Sequence, residues 1–249
     1  MLLRKFRIPA SNSLTSWRGK PQVFHYQLSC EMYIPENVKP KGIIIVSHGY
    51  SATMESTFRY VNPLIKTGYA ICLFDFGGYG SSRSRDFDEL DASVLTEKVD
   101  LITVIKDMEK NFHPKRLILM GCSQGGLVSA LVANDYPKLI DKMILFYPGF
   151  SIPDNMKSGH PILSYDGARI GARYVVDGQK LDPWKQIKNY HGPVLICHGT
   201  ADYLVNFKYS QTAAKVYSNA KLVPIPHGDH CFYKHGFRQA MHEVDTFLK

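Results

Sequence analysis

The chain has 249 residues, of which 45% are hydrophobic and 21% charged. That make-up is the one of ordered globular proteins, and the length suits one α/β domain with a large core. The formal charge is +8. Its densest basic stretch, Arg4-Lys5-Phe6-Arg7, is short, and no longer basic run interleaved with aromatics occurs, so nucleic acid is not an expected partner.

The five cysteines are Cys30, Cys72, Cys122, Cys197 and Cys231. Their number is odd, none forms a Cys-x-x-Cys pair, and three lie in or beside expected core strands. The pattern predicts buried free thiols in a reducing compartment and offers no zinc-ligand spacing. The basic N-terminus has no long apolar stretch behind it, so no signal peptide is visible, and no apolar run approaches membrane-spanning length. A cytoplasmic protein is expected, with no membrane partner, no metal and no cofactor. The oligomeric state is not legible.

In chain order, residues 1–40 read as an antiparallel entry to a sheet, with strands at 23–28 and 30–34 and a turn-rich connector from Pro35 to Pro40. Residues 42–47 are a continuous β-branched run, a buried central strand that ends in His48-Gly49-Tyr50. A helical pattern over 56–66 stops at Gly68, with Pro63 near its middle. The strand at 70–75 leads into Phe76-Gly77-Gly78-Tyr79-Gly80-Ser81-Ser82. This loop lacks the Lys-Ser/Thr ending of phosphate-binding loops and opens no helix, so a nucleotide is not expected. A long amphipathic helix follows over 92–111, with Val94, Leu95, Val99, Ile102 and Ile105 on one face.

Next come the strand 116–120, a tight Gly121-Cys122-Ser123-Gln124-Gly125, and a buried helix that stops before Pro137. Residues 142–147 are another strand. After Pro148-Gly149 the pattern breaks, and residues 150–190 read as an insertion lying over the strand ends, a small cap. Strands at 193–197 and 221–225 enclose a helix at 209–217, and a helix at 237–248 closes the chain. Strands alternating with helices imply one domain over residues 1–249, α/β in class, with a mostly parallel central sheet, helices on both faces and the cap inserted at 150–190.

The chemistry centres on Gly121-x-Ser123-x-Gly125. A serine between a strand and a helix must occupy a very sharp, strained turn, which lifts its hydroxyl above the sheet edge and aims the first amides of the helix at whatever it attacks. Serine is a weak nucleophile and needs a general base and a group to orient that base. In an open α/β sheet such groups gather after the carboxyl ends of strands. After Cys197 comes His198-Gly199-Thr200-Ala201-Asp202; after Ile225 comes Pro226-His227-Gly228-Asp229-His230. Asp202 and His230 are the preferred acid and base. Asp229 is a rival acid, but its neighbour His230 is badly placed to face it; His227 is a rival base nearer the strand end. His48 and His198, each before a glycine, read as loop-holding residues. The oxyanion of an acyl-transfer intermediate needs two aimed amides. The backbone N–H groups of Gln124 and of Tyr50 are assigned to it.

With these residues the chain resembles the α/β-hydrolase superfamily over nearly its whole length, and within it the bacterial cinnamoyl and feruloyl esterases. The resemblance rests on His48-Gly49-Tyr50, the 75–82 loop, Gly121-Cys122-Ser123-Gln124-Gly125-Gly126, His198-Gly199-Thr200-Ala201-Asp202 and Gly228-Asp229-His230-Cys231-Phe232. It implies a serine esterase acting on small carboxylic esters, hydroxycinnamates among them, with a cap that holds the phenolic end by polar groups. Asp154 and Tyr165 lie in the matching region. A peptidase or acyl thioesterase with the same triad is the alternative. A silent binding protein is disfavoured because all three triad members are kept.

Overall fold

The computed structural model describes residues 1–15, 21–159, 170–233 and 236–249. Its strands are β1 (Leu2–Thr15), β2 (Pro21–Ile34), β3 (Ile43–Ser47), β4 (Ala70–Phe74), β5 (Leu117–Cys122), β6 (Lys142–Phe146), β7 (Val194–Gly199) and β8 (Ala220–Ile225). The helices are α1 (Phe58–Ile65), α2 (Val94–Phe112), α3 (Gln124–Asp135), α4 (Ile152–Lys157), α5 (Ala172–Lys180), α6 (Pro183–Gln186), α7 (Lys208–Val216) and α8 (Phe237–Leu248). One sheet takes the order β1-β2-β4-β3-β5-β6-β7-β8. Its first two pairings are antiparallel and the rest parallel.

The central strands are apolar on both faces because helices cover both. Ile43, Ile45, Leu117, Leu119, Met143 and Leu145 pack with α2 and α3 on one side. Ile44, Val46, Ile118, Met120, Ile144 and Phe146 alternate with them and pack with α1 and α8 on the other. The direction of winding reverses between β3 and β5, which lie side by side with Ser47 opposite Gly121. The loop after β3 and the loop after β5 therefore meet at the crevice where open α/β sheets bind ligands.

Three elements differ from the sequence expectation. The N-terminal hairpin is longer than read: β1 runs from residue 2 and pairs with the whole of β2. Its buried side, Ile8, Ala10, Asn12 and Leu14, alternates only in its second half, and Pro9 is tolerated because the strand lies at the sheet edge. The expected helix at 56–66 is a 3-10 turn, Met54–Thr57, leading into α1 with Pro63 inside. The third difference is the buried face of α2. Val99 is exposed, whereas Thr96, Glu97 and Asp100 are buried with Leu101, Val104, Ile105 and Met108. The N-terminus of α2 carries a capping box between Ser93 and Thr96, and Ser93 Oγ also donates to Asp177 Oδ2 on α5 at 2.7 Å. Helix α5 thus docks on α2 and shelters the polar residues that a soluble helix would otherwise turn outward. Between β6 and β7 the described chain forms α4, α5 and α6. No helix of the described residues is long and apolar enough to cross a membrane.

Candidate active site

Strand β5 ends one residue before Ser123, and α3 begins one residue after it. Ser123 has φ 52° and ψ −119°, a strained conformation for a residue with a side chain. The turn is held by contacts that exclude side chains at two positions. A Cβ at Gly121 would lie 2.3 Å from the Gly125 carbonyl oxygen, and one at Gly125 would lie 2.4 Å from the carbonyl oxygens of Ser47 and His48. The Ser123 N–H donates to the Phe146 carbonyl at 3.0 Å, and the Ser123 carbonyl accepts from Gly149 N–H at 2.7 Å. The elbow is therefore tied to β6 as well as to its own helix.

The loops after β7 and β8 bring the other groups. His230 Nε2 lies 3.1 Å from Ser123 Oγ, and His230 Nδ1 lies 2.7 Å from Asp202 Oδ2. Asp202 Oδ1 accepts from the N–H groups of Leu204 and Val205, each at 2.9 Å. Burial alone would raise the Asp202 pKa. Hydrogen bonds from His198 and His230, the charge of His230 and the Val205 amide outweigh it and hold the carboxyl well below the usual range. A carboxylate ionised at neutral pH then faces Nδ1, an arrangement that favours the proton on that nitrogen and suits Nε2 to accept from a serine.

His198 does more than hold a loop. Its Nε2 lies 3.0 Å from Asp202 Oδ2 and 2.9 Å from the Val205 carbonyl, while Nδ1 lies 2.6 Å from Ser210 Oγ. Two acceptors at Nε2 require that nitrogen to carry a proton, so His198 donates to the same oxygen that His230 uses. The i, i+4 spacing of His198 and Asp202 was its only trace in the sequence. His48 is fully buried; its Nδ1 donates to the Gly49 carbonyl at 2.8 Å and its Nε2 accepts from Phe76 N–H at 3.1 Å. Burial lowers its pKa, the Gly49 bond opposing, and the ring acts as a strut between the loops after β3 and β4. His227 is exposed, with its N–H on Thr200 Oγ1 at 3.0 Å.

Gln124 N–H, at the start of α3, has no intrahelical acceptor. Gly149 lies against it: a Cβ there would come within 3.2 Å of that nitrogen. The loop carrying Tyr50 passes close by, since a Cβ at Gly49 would sit 3.3 Å from Ser123 Cβ. A cavity of about 610 Å³ opens here, well within the range of small-ligand sites. Ser123, His230, Tyr50 and Gln124 line it, with Ile152, Met156, Ile170 and Tyr174 from the stretch between β6 and β7, and with Glu55, Arg59, Asp229 and Tyr233. Among the described residues no cluster of His, Cys, Asp or Glu is arranged to hold a metal.

The two residues expected to bind a phenol fare differently. Asp154 is exposed on α4 and is not among the residues lining the cavity; its Oδ2 accepts from Tyr209 Oη on α7 at 2.9 Å. That bond continues a cap-to-α7 cluster in which Trp184 stacks on Tyr209 and packs on Phe150. Tyr165 falls outside the described residues.

Residues 38–179 match the model of the serine aminopeptidase, S33 family (Hydrolase_4). The chain belongs to this family. It is a hydrolase with the α/β-hydrolase fold, and it resembles bacterial feruloyl esterases. The structure of Est1E from Butyrivibrio proteoclasticus with ferulic acid bound is similar at TM-score 0.83 and 26% identity, covering 90% of this chain and 94% of that one. The uncharacterized protein YfhR of Escherichia coli O157:H7 is 27% identical over 210 residues, 80% of this chain and 67% of that protein. Monoglyceride lipase of Rattus norvegicus is 27% identical over 121 residues, 49% of this chain and 39% of that protein. The family match contains Ser123, but Asp202 and His230 of this hydrolase lie beyond it.

Proposed function

We propose that the hydrolase is a serine esterase for small carboxylic esters and works through an acyl-enzyme on Ser123. The observation that carries this reading is the connected line from Asp202 Oδ2 through His230 to Ser123 Oγ, at 2.7 and 3.1 Å, beside a cavity. His230 Nε2 takes the Ser123 proton as Oγ attacks the ester carbonyl. The backbone N–H groups of Tyr50 and Gln124 receive the oxyanion. Collapse expels the alcohol, which takes the proton from His230, and water repeats the sequence to free the acid.

Hydroxycinnamate esters are the proposed substrates. The likeness to Est1E with ferulic acid bound supports this, as does a cavity walled by Tyr50, Tyr174 and Ile152, where a flat aromatic acid can pack. Asp154 lies off that wall, so the phenolic end falls to other groups. The second reading is an aminopeptidase. It draws on the carboxylates Glu55 and Asp229 along the cavity, which suit an α-ammonium group, and on the description of the family.

The test is a panel of methyl ferulate, p-nitrophenyl butyrate, an acyl-CoA and an aminoacyl p-nitroanilide. Methyl ferulate and p-nitrophenyl butyrate are expected to turn over. Ser123→Ala should lose at least about 10³-fold in kcat and escape labelling by a fluorophosphonate. Full activity in Ser123→Ala would sink the assignment. Turnover of the anilide alone would replace the esterase by the aminopeptidase, and butyrate turnover without ferulate turnover would leave a general carboxylesterase.

A further inference from the structure

Behind the oxyanion hole lies a polar chain that takes no part in the steps above. The side chain of Gln124, whose backbone amide is assigned to the oxyanion, is fully buried. Its Nε2 donates to Glu97 Oε1 on α2 at 2.6 Å, and its Oε1 accepts from the hydroxyl of Tyr174 on α5 of the cap. Glu97 and Tyr174 are themselves buried, at 1% and 5% exposure. The Tyr174 ring packs on that of Tyr50, the other residue assigned to the hole, with centroids 5.0 Å apart. Both amide donors therefore back onto one cap residue.

We propose that Glu97 and Tyr174 are positioning residues, which clamp the Gln124 side chain from two sides and so hold its amide, and with it the oxyanion hole, in place. This inference rests on the esterase reading.

The physical argument starts from the position of Gln124. It is the first residue of α3, directly after a strained one. A side chain fixed at both ends of its amide removes the rotations that would swing the backbone N–H off target. In the observed orientation the Tyr174 hydroxyl donates to Gln124 Oε1 while Glu97 Oε1 accepts from Nε2, so both ends of the amide are engaged. The carboxyl suits this role as the neutral acid. Burial drives its pKa well above the usual value, Gln124 opposing and Asp100 adding to the rise, and Glu97 Oε2 has no hydrogen-bond partner among the described residues. A carboxylate there would place an unscreened negative charge behind the developing oxyanion and oppose it. The neutral acid supplies the acceptor without the charge. The other titratable groups facing it are the hydroxyls of Tyr50 and Tyr79 and the Asp100 carboxyl.

Kinetics with p-nitrophenyl butyrate on the full chain test the proposal, together with inhibition by a trifluoromethyl ketone, whose tetrahedral adduct carries the oxyanion. Glu97→Leu should lower kcat about 10- to 100-fold, less than the loss of an oxyanion donor outright, with KM within about threefold. Inhibition by the ketone should weaken by the same factor. Glu97→Gln keeps an acceptor for Gln124 Nε2 and should recover kcat to within about threefold of wild type. Tyr174→Phe deletes one hydroxyl and should show the same kcat loss in smaller measure, which decides the matter if Glu97→Leu does not fold. A kcat in Tyr174→Phe within about twofold of wild type, or equal losses in Glu97→Gln and Glu97→Leu, would overturn the clamp. Those results leave the esterase reading standing as long as Ser123→Ala is inactive; an active Ser123→Ala removes the reading itself.

Discussion

Asp202 places two imidazoles on a single oxygen, and that shared oxygen gives His198 a measurable role. The carboxyl is held below its ordinary range chiefly by hydrogen bonds that overcome burial, the one from His198 foremost. A depressed acid adds stability that is fully present above its unfolded pKa, about 3.9, and is lost as the pH falls toward the folded value. His198→Ala removes one of the donors and brings the folded value up, so less of that stability exists to begin with. The variant should be less stable at neutral pH, as measured by urea denaturation, and its stability should vary less between pH 5 and 2. It should also lose of order tenfold in kcat/KM, the scale on which an outer hydrogen bond orients a working group. Equal acid profiles in variant and wild type would leave His198 a packing residue. The sequence placed Asp202 and His230 after the ends of β7 and β8, where their chemistry is needed. It did not reveal the donors on Asp202, because a hydrogen bond between a strand end and a loop leaves only a spacing behind.

At the scale of the element, the elbow stores strain that the rest of the sheet imposes. Ser123 sits at positive φ between a fully buried strand and a helix buried from Gln124 to Ala133, so neither neighbour can relax to relieve it. Glycine adopts that conformation without penalty, and the strain released is about 1–3 kcal/mol. The entropic cost of glycine in the unfolded chain is about 0.5–1 kcal/mol. Ser123→Gly is therefore expected to be inactive and more stable than Ser123→Ala, with a Tm higher by a few degrees; a lower Tm would show that the turn is unstrained. The elbow was legible in the sequence because glycines on both sides of a serine, strand before and helix after, answer a steric demand that is local. The buried face of α2 was legible only in part. Periodicity found Val94 and Ile105, which are buried, but also chose Val99, which is exposed; it missed the buried Glu97 and Asp100, whose partners arrive from α3 and β2. Polar residues turn inward only where distant elements supply bonds, and no window of local sequence contains those elements. The hairpin β1–β2 escaped in part for a related reason: Asn12 interrupts the apolar alternation of β1 and is buried against Tyr26 and Asp100.

For the molecule as a whole, Asp100 sets a pH dependence opposite in sign to that of Asp202. It accepts from the Tyr26 hydroxyl and, at 2.8 Å, from Gly77 N–H, joining α2 to β2 and to the loop after β4. Burial raises its pKa to about 7, against the lowering effect of those two bonds. The native state keeps this proton at pH values where the unfolded chain, titrating near 3.9, has released it. Stability is thus fully present below about pH 4 and lost as the pH rises through about 7. Asp100→Asn cannot accept from both donors, so it should be less stable at pH 5, and its stability should be flatter from pH 5 to 8 by urea titration. An unchanged slope would put the titration elsewhere. The order of the strands also fixes when the enzyme becomes an enzyme during its synthesis. Ser123 and His230 are 107 positions apart. At about 5–20 residues per second on the ribosome, Ser123 is translated roughly 5 to 20 s before His230, the base of the proposed mechanism. Until β6 has emerged the elbow lacks the Phe146 and Gly149 bonds that tie it down, and until the loop after β8 is free to fold Ser123 lacks the base that the proposed mechanism gives it, so on that mechanism the emerging polypeptide is inert toward esters until its last strands and their loops are in place.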